Sequence, residues 1–177
     1  MSQNAHMTLL FHFRNLMTII VLVSLISTSQ AAPSPGDVPP PDIGHNTSGE
    51  EVLLPSYAGK AIVVTFWATW CPQCIKELPI LEAVQNKVGK DQIVIIAINT
   101  EEAEVFRRAA RVMRKSMHLE LVSDSSGNAQ KAYGVNGIPH MVIIGRDGHI
   151  LQVHRGYSEG SLEEIVAEIN LALAPLP

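Results

Sequence analysis

The stretch Ala61-Ile62-Val63-Val64-Thr65-Phe66-Trp67-Ala68-Thr69-Trp70-Cys71-Pro72-Gln73-Cys74 decides how this chain reads. Seven strand-forming residues run into a turn, and two cysteines three positions apart then open a helical pattern. These are the only 2 cysteines in the chain. A strand that delivers a Cys-x-x-Cys pair to a helix N-terminus is a redox arrangement, and no other cysteine is present to form a structural bridge.

Outward from that point the pattern alternates. Two short strands precede it, the second at Glu51 to Leu54, with the turn residues 46–49 between them. The helix from Cys71 to Val88 carries Ile75, Leu78, Leu81 and Val88 on one face and stops at Gly89. Ile93 to Asn99 is apolar on both faces and predicts a central strand. A helix over about Glu101 to Met117, a strand over Leu119 to Ser123 and a short helix over Asn128 to Tyr133 follow. Met141 to Ile144 and His149 to His154 flank an Asp147-Gly148 turn and predict a hairpin. The last helix begins at a Ser161/Glu164 capping box and carries Leu162, Ile165, Val166, Ile169 and Leu173 at helical spacing. This order predicts an α/β fold, a mixed central sheet flanked by helices, with an N-terminal strand extension.

Residues 1–31 read as an export signal. Arg14 is the sole charge before Asp37, Leu16 to Ile26 is apolar apart from Thr18 and Ser24, and small residues end at Ala31. The alternative is an uncleaved anchor; either places the domain outside the cytoplasm. Residues 32–42 read as a Pro-rich, stiff linker, and 43–177 as the folded domain. The 177 residues carry a net charge of −4, which gives no basic surplus calling for nucleic acid. No added dimerisation segment stands out, so a monomer is expected.

Four motifs carry a family resemblance: Phe66 to Cys74; Lys76-Glu77-Leu78-Pro79; Tyr133-Gly134-Val135-Asn136-Gly137-Ile138-Pro139; and the hairpin with its trailing Gly156. Over roughly Ile43 to Ala174 the chain resembles the TlpA/ResA-like branch of exported thiol–disulfide oxidoreductases in the thioredoxin superfamily. The resemblance implies a thioredoxin-like fold and a cis bond at Ile138-Pro139. It implies reduction of disulfides in periplasmic proteins, in cytochrome c maturation or copper-site assembly, with electrons from a membrane donor. It also makes Glu77 the acid/base group. Thioredoxins proper hold an aspartate where this chain has Thr65, so the proton acceptor for the second cysteine comes from elsewhere. His140 follows the expected cis-proline where a threonine is common, a departure that bears on the substrate groove or on the potential.

By position, Cys71 is the nucleophile and Cys74 the resolving thiol. Pro72 suits the first helical turn. Pro79 lies inside the helix and is expected to kink it. Trp70, Pro72, Ile138 and Pro139 form the expected contact surface for a protein disulfide or dithiol, while Trp67 packs. Glu104 and Arg108 are spaced for an i, i+4 ion pair. The redox-active pair needs no further cofactor, and no second pair of ligands completes a zinc site. A disulfide-forming oxidase uses the same residues, and a Cu(I)-binding module uses the same two sulfurs.

Overall fold

The computed structural model describes residues 31–156 and 162–175, with the side chain of Leu162 also left aside. The expected leader and the Ser161 cap lie outside the described residues. Seven strands form one sheet: β1 (Asp42–Asn46), β2 (Glu51–Leu53), β3 (Ala61–Trp67), β4 (Ile93–Asn99), β5 (Glu120–Ser123), β6 (His140–Ile144) and β7 (Ile150–Arg155), in the order β2-β1-β5-β4-β3-β6-β7. Helices α1 (Pro72–Val88), α2 (Ala103–Met113), α3 (Asn128–Ala132) and α4 (Leu162–Ala172) connect or follow them. β3, β4 and β5 are parallel, whereas β6, β7 and the β1–β2 hairpin run antiparallel. The sheet is therefore mixed, as the alternation predicts.

All seven residues of β3 and of β4 are buried, because both faces of these central strands are covered. One face carries Val63, Trp67, Ile95, Met141 and Ile143 under Leu78 and Leu81 of α1, Phe106 of α2, and Ile165 and Ile169 of α4. The other carries Ile62, Val64, Phe66, Ile96 and Val142 under Ala129 of α3, Tyr133, and Ile43 and Leu54 of the N-terminal extension. Gly44 is needed where β1 meets β5: its φ is +109° and an added Cβ would lie 2.2 Å from the Ser123 carbonyl oxygen.

Several expectations change. The Pro-rich segment is not a free spacer. The Gly36 N–H donates to the Ile150 carbonyl at 2.8 Å, the Ile150 N–H to the Asp37 carbonyl at 2.9 Å, and the Tyr133 hydroxyl to the Pro40 carbonyl at 2.8 Å. Pro39 is buried. Extended proline-rich backbone keeps its carbonyls available, and here they accept from a strand edge and a core tyrosine. Ile75, expected in the core, is 46% exposed and lies on the surface near the cysteine pair. Glu104 pairs with Arg107 at i+3 instead of Arg108; both spacings are neighbours on a helix surface. Val166 is exposed, and Ala172 takes a core place on α4.

Candidate active site

Cys71 is the N-cap of α1, with φ −94° and ψ 100°, and its Sγ accepts the Cys74 N–H at 3.2 Å. Pro72 follows in the first turn, where its missing N–H costs nothing. The helix thus aims its unpaired donors and positive dipole end at the first sulfur, an environment that favours thiolate over thiol. Cys71 and Cys74 are joined as a disulfide, with their Cα atoms 5.3 Å apart. Both are buried, but Trp70 immediately before them is 69% exposed and Ile75 immediately after is 46% exposed. The pair is therefore framed by exposed apolar surface, while Trp67 packs fully into the core.

The β3–α1 turn is held by a clamp that the sequence reading missed. Glu101 lies ahead of α2, not within it. Its carboxylate accepts the Thr69 N–H at 2.6 Å, the Thr69 hydroxyl at 2.8 Å and the Asn99 side-chain amide at 3.1 Å. Burial pushes this carboxyl upward, yet the hydrogen bonds from Thr69 and Asn99 outweigh it and hold it below the usual carboxylate range. Glu101→Ala should lower stability by about 1–2 kcal/mol in urea denaturation, a charge-assisted figure discounted for partial exposure. The loss should vanish at acid pH, where the wild-type carboxyl is itself protonated.

Glu77 is 3% exposed, one turn beyond Cys74 on α1. Its Oε1 accepts the Thr65 hydroxyl at 2.7 Å. Thr65, in the place of an aspartate, thus supplies a hydrogen bond and no charge. Burial raises the Glu77 pKa from 4.5 to about 7; the Thr65 hydrogen bond and His154 oppose it without cancelling it. A carboxyl poised near neutrality and close to a cysteine pair can take up and return a proton at working pH.

The Ile138–Pro139 bond is cis. Pro139 is buried, its carbonyl accepts the Gly156 N–H at 2.8 Å, and Ile138 is half-buried against the cluster that holds both cysteines. The next residue, His140, pairs in register with Phe66, so Pro139 lies at the same end of the sheet as the Trp67–Cys74 turn, one strand away. His140 is 1% exposed and sits edge-on to Phe66 with centroids 5.9 Å apart, and among the described residues neither ring nitrogen has a hydrogen-bond partner. Burial, aided by Arg155, lowers its pKa from 6.5 to about 4.

Among the described residues, no group of three or more His, Cys, Asp or Glu side chains is arranged for a metal ion, and no helix is long and apolar enough to cross a membrane.

The model of the redoxin family matches residues 34–169. The thiol–disulfide oxidoreductase ResA of Halalkalibacterium halodurans is 32% identical over 127 residues, 72% of this chain and 70% of the relative. The thioredoxin-like protein YneN of Bacillus subtilis is 32% identical over 120 residues, 66% of this chain and 69% of the relative. Among solved structures, a Chlorobium tepidum protein assigned as thiol:disulfide interchange protein DsbE superposes with a TM-score of 0.71 at 23% identity, over 81% of this chain and all of the other. A thiol:disulfide interchange protein from Bacteroides sp. gives 0.63 at 23% identity, over 79% of this chain and 93% of the other. With a cysteine pair capping α1, a cis-proline at the same sheet end and these relatives, the chain belongs to the redoxin family as a ResA-like thiol–disulfide oxidoreductase of the thioredoxin superfamily.

Proposed function

We propose that this enzyme is an exported reductase of protein disulfides. Cys71 attacks a substrate disulfide and forms a mixed disulfide, releasing one substrate thiolate. Glu77 accepts the proton of Cys74. The Cys74 thiolate then attacks Cys71, closes the Cys71–Cys74 bond and releases the second substrate thiolate. Two electrons pass to the substrate, and the substrate thiolates take protons from solvent. Trp70, Pro72, Ile138 and Pro139 bind the extended segment around the substrate disulfide.

The observation that carries this reading is the buried Glu77 carboxyl bonded to Thr65 one turn beyond Cys74. It supplies the proton acceptor that a thioredoxin-type resolving cysteine requires. The leader pattern supports export to the periplasm, and the resemblance to the TlpA/ResA-like branch supports reduction of cysteine pairs in cytochrome c maturation or copper-site assembly. A reductant in an oxidising compartment needs a membrane dithiol donor to be recharged.

Equilibrating the Cys71/Cys74 pair with thiol–disulfide buffers tests the direction. A potential near or below about −220 mV is expected; one near about −120 mV makes the protein an oxidase and overturns the reductase reading.

A further inference from the structure

Glu77 does not stand alone behind the cysteines. Strand register puts Thr65 of β3 beside Met141 of β6, and Met141 beside His154 of β7. Because side chains alternate along each strand, Thr65, Met141 and His154 share one face of the sheet. This is the face that α1 and α4 cover. Two strand spacings, roughly 10 Å, separate Thr65 from His154 across that row. Glu77, bonded to Thr65, lies over the same face.

His154 is held there through Glu168, which Gln152 orients in turn. Its Nε2 pairs with Glu168 Oε2 on α4, and the Gln152 amide, two residues earlier on the same face, donates to Glu168 Oε1 at 3.1 Å. The His154 and Glu168 side chains are only 16% and 15% exposed. Glu168 supplies the anion with which a protonated imidazole pairs. Among the described residues, the neighbouring strand positions on this face carry no charge. The facing positions of β3 are Ala61, Val63 and Trp67, and those of β6 are Met141 and Ile143, none of which titrates. Lys76 neighbours Glu77 in sequence but is exposed, as are Glu163 and Glu164 on α4. His140 and Arg155 occupy the alternate positions of β6 and β7 and face the other side.

We propose that His154, held by Glu168, is a positioning residue that sets the charge on Glu77 during thiol–disulfide exchange. This inference rests on the assignment of Glu77 as proton acceptor. A positive charge on His154 favours the carboxylate, the form that can take the Cys74 proton, and the Glu168 anion beside it weakens that effect. When the proton arrives, Glu77 becomes neutral and the Cys74 thiolate is free to break the Cys71–substrate bond.

The test is the pH profile of the resolution step, followed by single-turnover kinetics of the full chain with a small disulfide. His154→Gln should move the midpoint governed by Glu77 upward by about half a pH unit or more, slowing resolution about threefold on the acid side. A His154→Gln profile that superimposes on wild type overturns the inference. Glu77→Gln separates the two levels. If it removes the midpoint while His154→Gln has no effect, only the role of His154 fails. If Glu77→Gln itself retains the wild-type profile, the assignment of Glu77 fails. Should His154→Gln not fold, the wild-type protein still answers by nuclear magnetic resonance. Coupled titration of the Glu77 carboxyl and the His154 ring supports the inference, and independent single steps overturn it.

Discussion

Cys74→Ser will stop the catalytic cycle at its midpoint. The variant retains Cys71 at the helix N-cap, where the α1 dipole and the surrounding backbone donors still favour a thiolate. It therefore attacks a substrate disulfide as the wild type does. No second thiol is available to displace the substrate, so each molecule captures one substrate equivalent covalently and multiple turnover is lost. The product is visible as a reducible adduct by mass spectrometry. Cys71→Ser should form no such adduct, because the remaining Cys74 is buried within the first turn of the helix and lacks the N-cap position of Cys71. If Cys71→Ser captures substrate and Cys74→Ser does not, the two roles are reversed.

Glu77→Gln should stabilise the disulfide form at alkaline pH while slowing the enzyme. In the unfolded chain the carboxyl ionises near its ordinary value of 4.5, and in the folded state near 7. Below the lower value both states hold the proton and burial of Glu77 carries no ionic cost. Between the two values only the folded state holds it, so the contribution of Glu77 falls as pH rises. Above about 7 both states are ionised and the fold bears the full cost of a buried anion, about 3 kcal/mol from the separation of the two values. Glutamine matches the carboxylic acid in shape, and its carbonyl can accept the same Thr65 hydroxyl. The variant should thus match wild type near pH 4.5 and exceed it by up to about 3 kcal/mol at pH 8 in urea denaturation. A constant difference across that range would show that the buried carboxyl is not the source. Loss of stability for function at this position is the usual relation between a strained site and its fold.

The succession of strands and helices and the cysteine-bearing turn were legible because they depend on local pattern, whereas the strand order within the sheet was not. Alternation, the Asp147-Gly148 turn and Gly89 at the end of α1 each act over a few residues. Glu77 was legible only through resemblance, since its burial depends on Thr65 twelve positions earlier. The Glu101 clamp was hidden by helical periodicity. Glutamate is a good helix former, so the pattern absorbs it into α2, while the Thr69 N–H and hydroxyl hold it in the preceding loop. His154 and Glu168 were hidden for a different reason. They are 14 residues apart, and their approach to Glu77 depends on strand register and helix docking, which no short window encodes. Ile75 was misread because helical spacing identifies a face without saying where along that face the core ends. The Pro-rich segment was misread because proline composition reports stiffness and says nothing of the donors, such as the Tyr133 hydroxyl on Pro40, that hold the chain.

The enclosed imidazole of His140 acts in the opposite sense to Glu77. In the unfolded chain it accepts a proton near 6.5, but in the fold only near 4. As pH falls between these values the unfolded state gains protons that the folded state refuses, and stability drops. Over the same interval Glu77 gains stability, because the folded state takes a proton that the unfolded state does not. The two gradients overlap from about pH 4.5 to about pH 6.5 and have opposite signs. The protein thus carries an internal counterweight: across mildly acidic conditions the contributions of these two buried groups to stability run in opposite directions and offset one another, while the protonation state of the Glu77 carboxyl changes.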